Sequence, residues 1–104
     1  EDDFASQGEW RTAEARVLAD RGMVDDALRL ADEAIEITDA TDYLDRRGEC
    51  HAVRGLVLEV AGRGDDARAA HEEALALFER KGNVVAAARV RKRLEGASGS
   101  VAPT

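Results

Sequence analysis

The stretch Asp25–Ile37, DDALRLADEAIEI, returns forty positions later as Asp65–Leu77, DDARAAHEEALAL, and this recurrence decides the fold. Asp25, Asp26 and Ala27 fall on Asp65, Asp66 and Ala67, while Glu33 and Ala34 fall on Glu73 and Ala74. Ile35 and Ile37 are replaced by Leu75 and Leu77. Working outward, the same offset sets Gly8 on Gly48, Val17 and Leu18 on Val57 and Leu58, and Gly22 on Gly62. It also brings Phe4, Leu44 and Val84 into register. Self-similarity at a fixed spacing of this length is the signature of stacked structural repeats. The chain therefore divides into a unit over residues 3–42, a second over 43–82, and a closing helix over 83–96, with 97–104 left as a tail.

Each unit reads as two helices. The first runs from about Ser6 to Arg21. Ser6 with Glu9 forms a capping box, and Trp10, Ala13, Val17 and Leu18 follow at helical spacing. Gly22 supplies the left-handed conformation that ends many helices. The second helix spans about Asp25–Asp39, with Asp25 or Asp26 at its positive end and one apolar stripe of Ala27, Leu28, Ala31, Ala34 and Ile35. Asp25–Arg29 and Arg29–Glu33 are i,i+4 pairs on its wet side.

The second unit repeats the plan. A helix starts at Thr41 or Asp42 and reaches about Ala61, Gly62 and Gly64 turn the chain, and Asp65–Lys81 follows with Ala67, Ala70, Ala74, Leu75 and Phe78 inward. Gly82 closes it, and Asn83 caps a last helix to about Glu95 whose periodicity is marked by Val84, Ala87, Ala88, Arg91 and Leu94. Arg89, Arg91, Lys92 and Arg93 crowd the end of that helix, where cations suit the dipole. Small residues, Ser and Pro103 from Gly96 onward predict a disordered tail.

Composition agrees with an all-α chain of five helices. Hydrophobic residues make up 44% of the 104 positions and charged residues 36%, too apolar for a disordered chain. Aromatics are 4%, so the core must come from Ala, Leu, Val and Ile, which suits closely packed helices. The net charge of -7 repels phosphate backbones and argues against nucleic acid. No apolar run approaches the roughly 18–20 residues of a membrane span, and no signal peptide is present. The single Cys50 forms no internal disulfide, in keeping with a reducing, cytoplasmic setting. The chain opens on Glu1, and the expectation is a domain cut from a longer protein.

Motifs that would carry chemistry dissolve on inspection. Gly62-Arg63-Gly64-Asp65-Asp66-Ala67 matches G-x-G-x-x-A in form, but a helix stands where a dinucleotide site needs a strand, and two aspartates would face the pyrophosphate. It reads as a turn. Arg63-Gly64-Asp65 spells an adhesion tripeptide by chance. Cys50 and His51 are neighbours and point about 100° apart on a helix, so they do not form a nucleophile–base pair. His71-Glu72-Glu73 lacks the second histidine of H-E-x-x-H, since Leu75 stands there, and one cysteine makes no structural zinc site. The expectation is no catalytic residue, no metal and no cofactor.

The pattern resembles the tetratricopeptide repeat. That family has Gly or Ala midway along its first helix, a large apolar residue one turn later, Gly at the turn, and Ala at two places in the second helix. Here these are Ala15, Leu18, Gly22, Ala27 and Ala34, then Gly55, Leu58, Gly62, Ala67 and Ala74, with the match covering about residues 8–95. The small residues let helix axes approach to roughly 8–10 Å. The period is 40 rather than the family's 34, the Pro near the end of each unit is missing, and Trp10 sits one place early. Asp25–Ile37 and Ala61–Glu95 also resemble the C-terminal helical arrays of large bacterial signalling ATPases, such as LuxR-type regulators and nucleotide-cyclase-linked proteins.

The resemblance implies a right-handed superhelix of antiparallel hairpins whose concave groove is lined by the first helix of each unit. Its groove positions fall on Glu9, Thr12, Arg16 and Asp20, then Glu49, Ala52, Leu56 and Glu59, with Arg89 and Lys92 from the final helix. Family members that clamp a C-terminal carboxylate use Lys and Asn at two of those places. Thr12 and Arg16, then Ala52 and Leu56, stand there instead, which argues against that ligand. The function implied is the binding of a protein or peptide segment with both apolar and charged groups. The alternative is a structural or dimerising segment that pairs through its exposed terminal helices and leaves the groove without a ligand.

Overall fold

The computed structural model describes the backbone of residues 4–100 and the side chains of residues 10–96. Five helices follow one another: α1 (Phe4–Asp20), α2 (Val24–Asp39), α3 (Leu44–Val60), α4 (Gly64–Lys81) and α5 (Val84–Ser100). The described residues contain no strand. The bounds of α1, α3 and α5 differ by forty residues at both ends, so the spacing read from the sequence is the spacing of the helices.

Three glycines set that spacing. Gly22, Gly62 and Gly82 have φ of 80°, 77° and 85°, a region costly for any side chain with a Cβ. Each ends its helix with the same pair of bonds. Met23, Arg63 and Asn83 donate their N–H back to Leu18, Leu58 and Phe78 at 2.8–2.9 Å, and the glycine N–H groups bond to Ala19, Glu59 and Glu79. This double closure satisfies carbonyls that the helix end would otherwise orphan. The α2–α3 connection uses residues 40–43 instead, where Thr41 Oγ1 donates to the Thr38 carbonyl and accepts from the Tyr43 N–H.

Several helix starts differ from the sequence reading. α1 begins at Phe4, so Ser6 stands inside the helix rather than at its cap; the side chains of Ser6 and Glu9 lie outside the described set. α2 and α4 start after Met23 and Arg63, neither of which makes a side-chain cap bond. Asp25, Asp26, Asp65 and Asp66 occupy the first turns, where their charge suits the dipole without capping. Arg29 takes Asp26, three residues back, together with Glu33, both at 3.5 Å.

Asn83 does cap α5: its Oδ1 accepts from the Ala86 N–H at 3.1 Å, and its Nδ2 donates to Asp45 Oδ1 at 3.1 Å, tying the start of α5 to α3. Asn83→Ala is expected to cost about 1 kcal/mol, the usual worth of such a cap. A urea titration followed by circular dichroism would show the midpoint falling without a change in slope.

α1 packs on α2 and α3, α2 on α3, and α4 on α3 and α5. The molecule measures 54 × 33 × 17 Å, and the thin dimension matches two layers of helices. Small residues make the layers close. Ala15, Ala27, Ala31, Ala34 and Ala74 are fully buried, and Ala19, Leu30, Val53 and Val57 join the first of these in one cluster. The second unit packs Leu58 on Ala67 and Ala70, and Phe78 gathers Ala74, Ala86, Ala87 and Val90 beneath α5.

The terminal helices present different faces from those expected. In α1 the buried positions are Thr12, Ala15 and Ala19, while Trp10, Ala13 and Val17 are exposed. In α5 the buried positions are Ala86, Ala87 and Val90, while Val84, Ala88 and Arg91 face outward. α5 also continues to Ser100, past the Glu95 end and into the segment assigned to a tail, of which 101–104 lie outside the described residues. The Arg89–Arg93 cluster therefore sits in mid-helix, and the dipole no longer explains it.

Candidate functional site

α1, α3 and α5 share one face, and a cleft of about 440 Å³ opens on it. Its walls carry Arg16 and Asp20 of α1, Glu49, Ala52, Leu56 and Glu59 of α3, and Arg89 of α5, seven of the ten groove positions carried over from the resemblance. Val60 adds exposed apolar surface between them, with the buried Ala19, Val57 and Val90 beneath. Thr12 lines an adjoining hollow with Arg16, Glu49 and Arg89, and it is buried. Lys92 is exposed and borders neither space, and the Glu9 side chain is outside the described set.

Charge in the cleft is organised around two glutamates of α3. Glu49 binds Arg16 of α1 at 2.7 Å and lies 3.6 Å from Arg89 of α5. Ten residues on, Glu59 accepts from Arg93 of α5 at 2.8 Å and faces the His71 ring of α4 with Nε2 at 2.7 Å. These pairs cross between helices, and they engage Arg89 and Arg93 of the basic cluster of α5. Arg91, on the other side of that helix, binds Glu79 of α4.

His71, whose sequence context lacks the second histidine of a zinc motif, is 3% exposed, with its ring laid on Gly55. A Cβ built on Gly55 would stand 2.5 Å from Cε1 and 2.6 Å from Nδ1. Nε2 donates to the Glu59 carboxylate, and Nδ1, against the glycine, has no hydrogen-bond partner. The sequence held a signal for this. At the forty-residue offset Ala15 and Ala31 become Gly55 and His71, so one position shrinks as its neighbour grows.

Burial by itself would raise the Glu59 carboxyl, but the bonds from Arg93 and His71 outweigh it and hold the group below its ordinary 4.5. A depressed carboxylate stabilises the fold at pH above its unfolded value, and that contribution disappears as pH falls through the folded value. Glu59→Gln is therefore expected to flatten the loss of stability below pH 4.5 relative to the parent chain. Melting temperatures measured across an acid series would show parallel curves if Glu59 were not involved.

The remaining reactive side chains are quiet. Cys50 is buried, and burial pushes its thiol up from the ordinary value, against a hydrogen bond from Thr38 that lowers it. The Thr38 hydroxyl donates to the Ala34 carbonyl at 2.9 Å and lies 3.5 Å from Cys50 Sγ. His51 meets Asp39 across the α2–α3 hairpin at 4.0 Å, and burial lowers its pKa despite that carboxylate. A raised thiol and a lowered imidazole on neighbouring residues do not make a nucleophile and its base. Among the described residues no group of three or more His, Cys, Asp or Glu is placed to hold a metal ion, and no helix is long and apolar enough to cross a membrane. The Gly62–Arg63 segment is a turn in which Arg63 bonds Asp66 twice, at 2.7 and 3.0 Å.

No family model matches the chain, and neither a curated protein nor a solved structure matches it.

Proposed function

We propose that the chain is a protein-interaction module, a tetratricopeptide-like array whose α1–α3–α5 face receives an extended or helical peptide segment. The observation that carries this reading is the cleft itself: an open concavity lined by equivalent helices of successive units, with Ala52, Leu56 and Val60 between two rows of charge. An apolar floor gives area to bury and the flanking charges set register and partner choice. The right-handed superhelix, the origin in a larger bacterial regulatory protein, the cytoplasmic setting and the absence of catalysis all belong to the same proposal. The forty-residue repeat of helix bounds, with small residues at the closest contacts, supports the family part of it.

The test is a displayed random-peptide selection against the full chain. Selected peptides should shift backbone resonances of α1, α3 and α5, and Leu56→Asp should weaken them at least about tenfold, a loss of about 1.4 kcal/mol. Peptides that map to α2, or that bind the Leu56→Asp chain equally well, count against it. A second reading has one observation in its favour: Glu49 and Glu59 already have partners within the chain, as expected if the face holds its own helices together. In that structural role, selection would return no peptide directed at the cleft.

A further inference from the structure

Cys50, Val53 and Val57 form the face by which α3 receives the hairpin before it, and they are 2%, 0% and 0% exposed. Forty residues on, Val90 occupies the same register and is buried under Ala74 and Phe78 of α4. Forty residues back, the register reads Trp10, Ala13 and Val17, with Trp10 60% and Val17 43% exposed. At the second of these registers α5 carries the exposed Arg93, so the apolar face stands filled on α3 and open on α1.

Charge follows the same register. Position 51 holds His51, which faces Asp39 of the preceding helix, and position 91 holds Arg91, which binds Glu79 of the preceding helix. The equivalent of both is Arg11, now drawn over the Trp10 ring at 5.1 Å and bonded to Glu33 at 3.1 Å. The opposite end of the array is finished differently. Gly48 and Gly55 admit Phe78 and His71 against α3, but α5 carries Ala88 and Glu95 at those places, both exposed, with Lys92 between them. With Val84 and Val85 exposed as well, the outer face of α5 is mixed, whereas the open register on α1 is apolar throughout, as a face that continues a stack must be.

We propose that the Trp10–Ala13–Val17 face of α1 seats a partner α-hairpin of this chain's own repeat pattern, with a carboxylate placed to meet Arg11. A second copy does not supply such a hairpin, because its own stacking faces on α2 and α4 are covered by α3 and α5. The two turns of exposed helix also fall short of the roughly 800 Å² per partner of a stable dimer. Trp10 and Val17 line neither the cleft nor its adjoining hollow, and Ala13 borders only the hollow, so this surface lies outside the cleft of the groove reading.

The probe is a copy of residues 44–83 joined directly ahead of Phe4 in the full chain, so that Asn83 precedes Phe4 as it now precedes Val84. The added unit has no tryptophan, which leaves Trp10 as the single reporter. Its emission should move to shorter wavelength, acrylamide quenching should drop several-fold, and the extended chain should melt in one transition at higher temperature. Val17→Asp in the extended chain should restore quenching. An appended unit that stays unfolded, or a Trp10 as accessible as in the parent chain, overturns the proposal. So does a parent chain whose Trp10 becomes protected with rising concentration as it forms a dimer, since a second copy would then be the occupant.

Discussion

Phe78→Ala is expected to lower the melting temperature by at least about 12 °C and to release α5 from the rest of the molecule. Phe78 is 2% exposed and holds together three helices: its ring lies on Gly48 of α3, and its cluster contains Ala86, Ala87 and Val90 of α5. Truncating a buried phenylalanine costs about 3–5 kcal/mol. In a domain of this size each kcal/mol moves the midpoint by roughly 4–8 °C. Three of its four buried cluster partners are alanines, with few atoms to fill the space left behind. Hydrogen exchange should show the α5 amides losing protection first, because α5 is anchored to the array mainly by this ring, the Asn83 cap and three arginine pairs. A fall of only a few degrees with α5 still protected would show that the cluster is not its anchor.

Gly55→Leu should be nearly as damaging, and for the opposite reason. The His71 ring already occupies the place of the missing side chain, so even a Cβ would meet it at 2.5–2.8 Å. Overpacking costs about 1–3 kcal/mol. Displacing the ring also breaks its bond to Glu59, a charged hydrogen bond worth about 1.5–3 kcal/mol. Helix propensity favours leucine over glycine by about 1 kcal/mol, too little to reverse the sign. The expected net loss is roughly 2–4 kcal/mol, read as a Tm fall of ~10–20 °C. The decisive comparison is the double variant Gly55→Leu with His71→Ala, which moves side-chain volume from α4 to α3. It should melt several degrees above Gly55→Leu alone. Equal or lower stability of the double variant would mean that the two positions do not share one space.

The Gly55–His71 pair also marks where sequence reasoning stops. Helix ends were legible because glycine is the residue that the left-handed turn selects, and Gly22, Gly62 and Gly82 all fill that role. Asn83 was legible as a cap for a similar local reason. The alanines of the inward faces of α2 and α4 followed from their spacing, but most of the larger residues did not: Leu30, Thr38, His71 and Leu77 are buried, whereas Leu28, Ile35 and Leu75 are half-buried. The faces of α1 and α5 were misjudged because alanine sits on both sides of each helix, as Ala13 against Ala15 and Ala88 against Ala87 show, so small size alone does not fix the phase. The resemblance located most of the cleft wall, but the two glutamate-centred networks join residues 12 to 40 positions apart and depend on packing.

Equivalence between the two units is tested most directly by side-chain NOE contacts in solution. Ala15 with Ala31 and Gly55 with His71 occupy matching places at the α1–α2 and α3–α4 contacts, and Ala15 and Ala31 share a cluster as Gly55 and His71 share a contact. Cross-peaks for both pairs, with helical carbon shifts over 44–60 and 84–100, are the predicted result. Cross-peaks for one pair without the other, or extended-chain shifts within either segment, would contradict the repeat and the face built upon it.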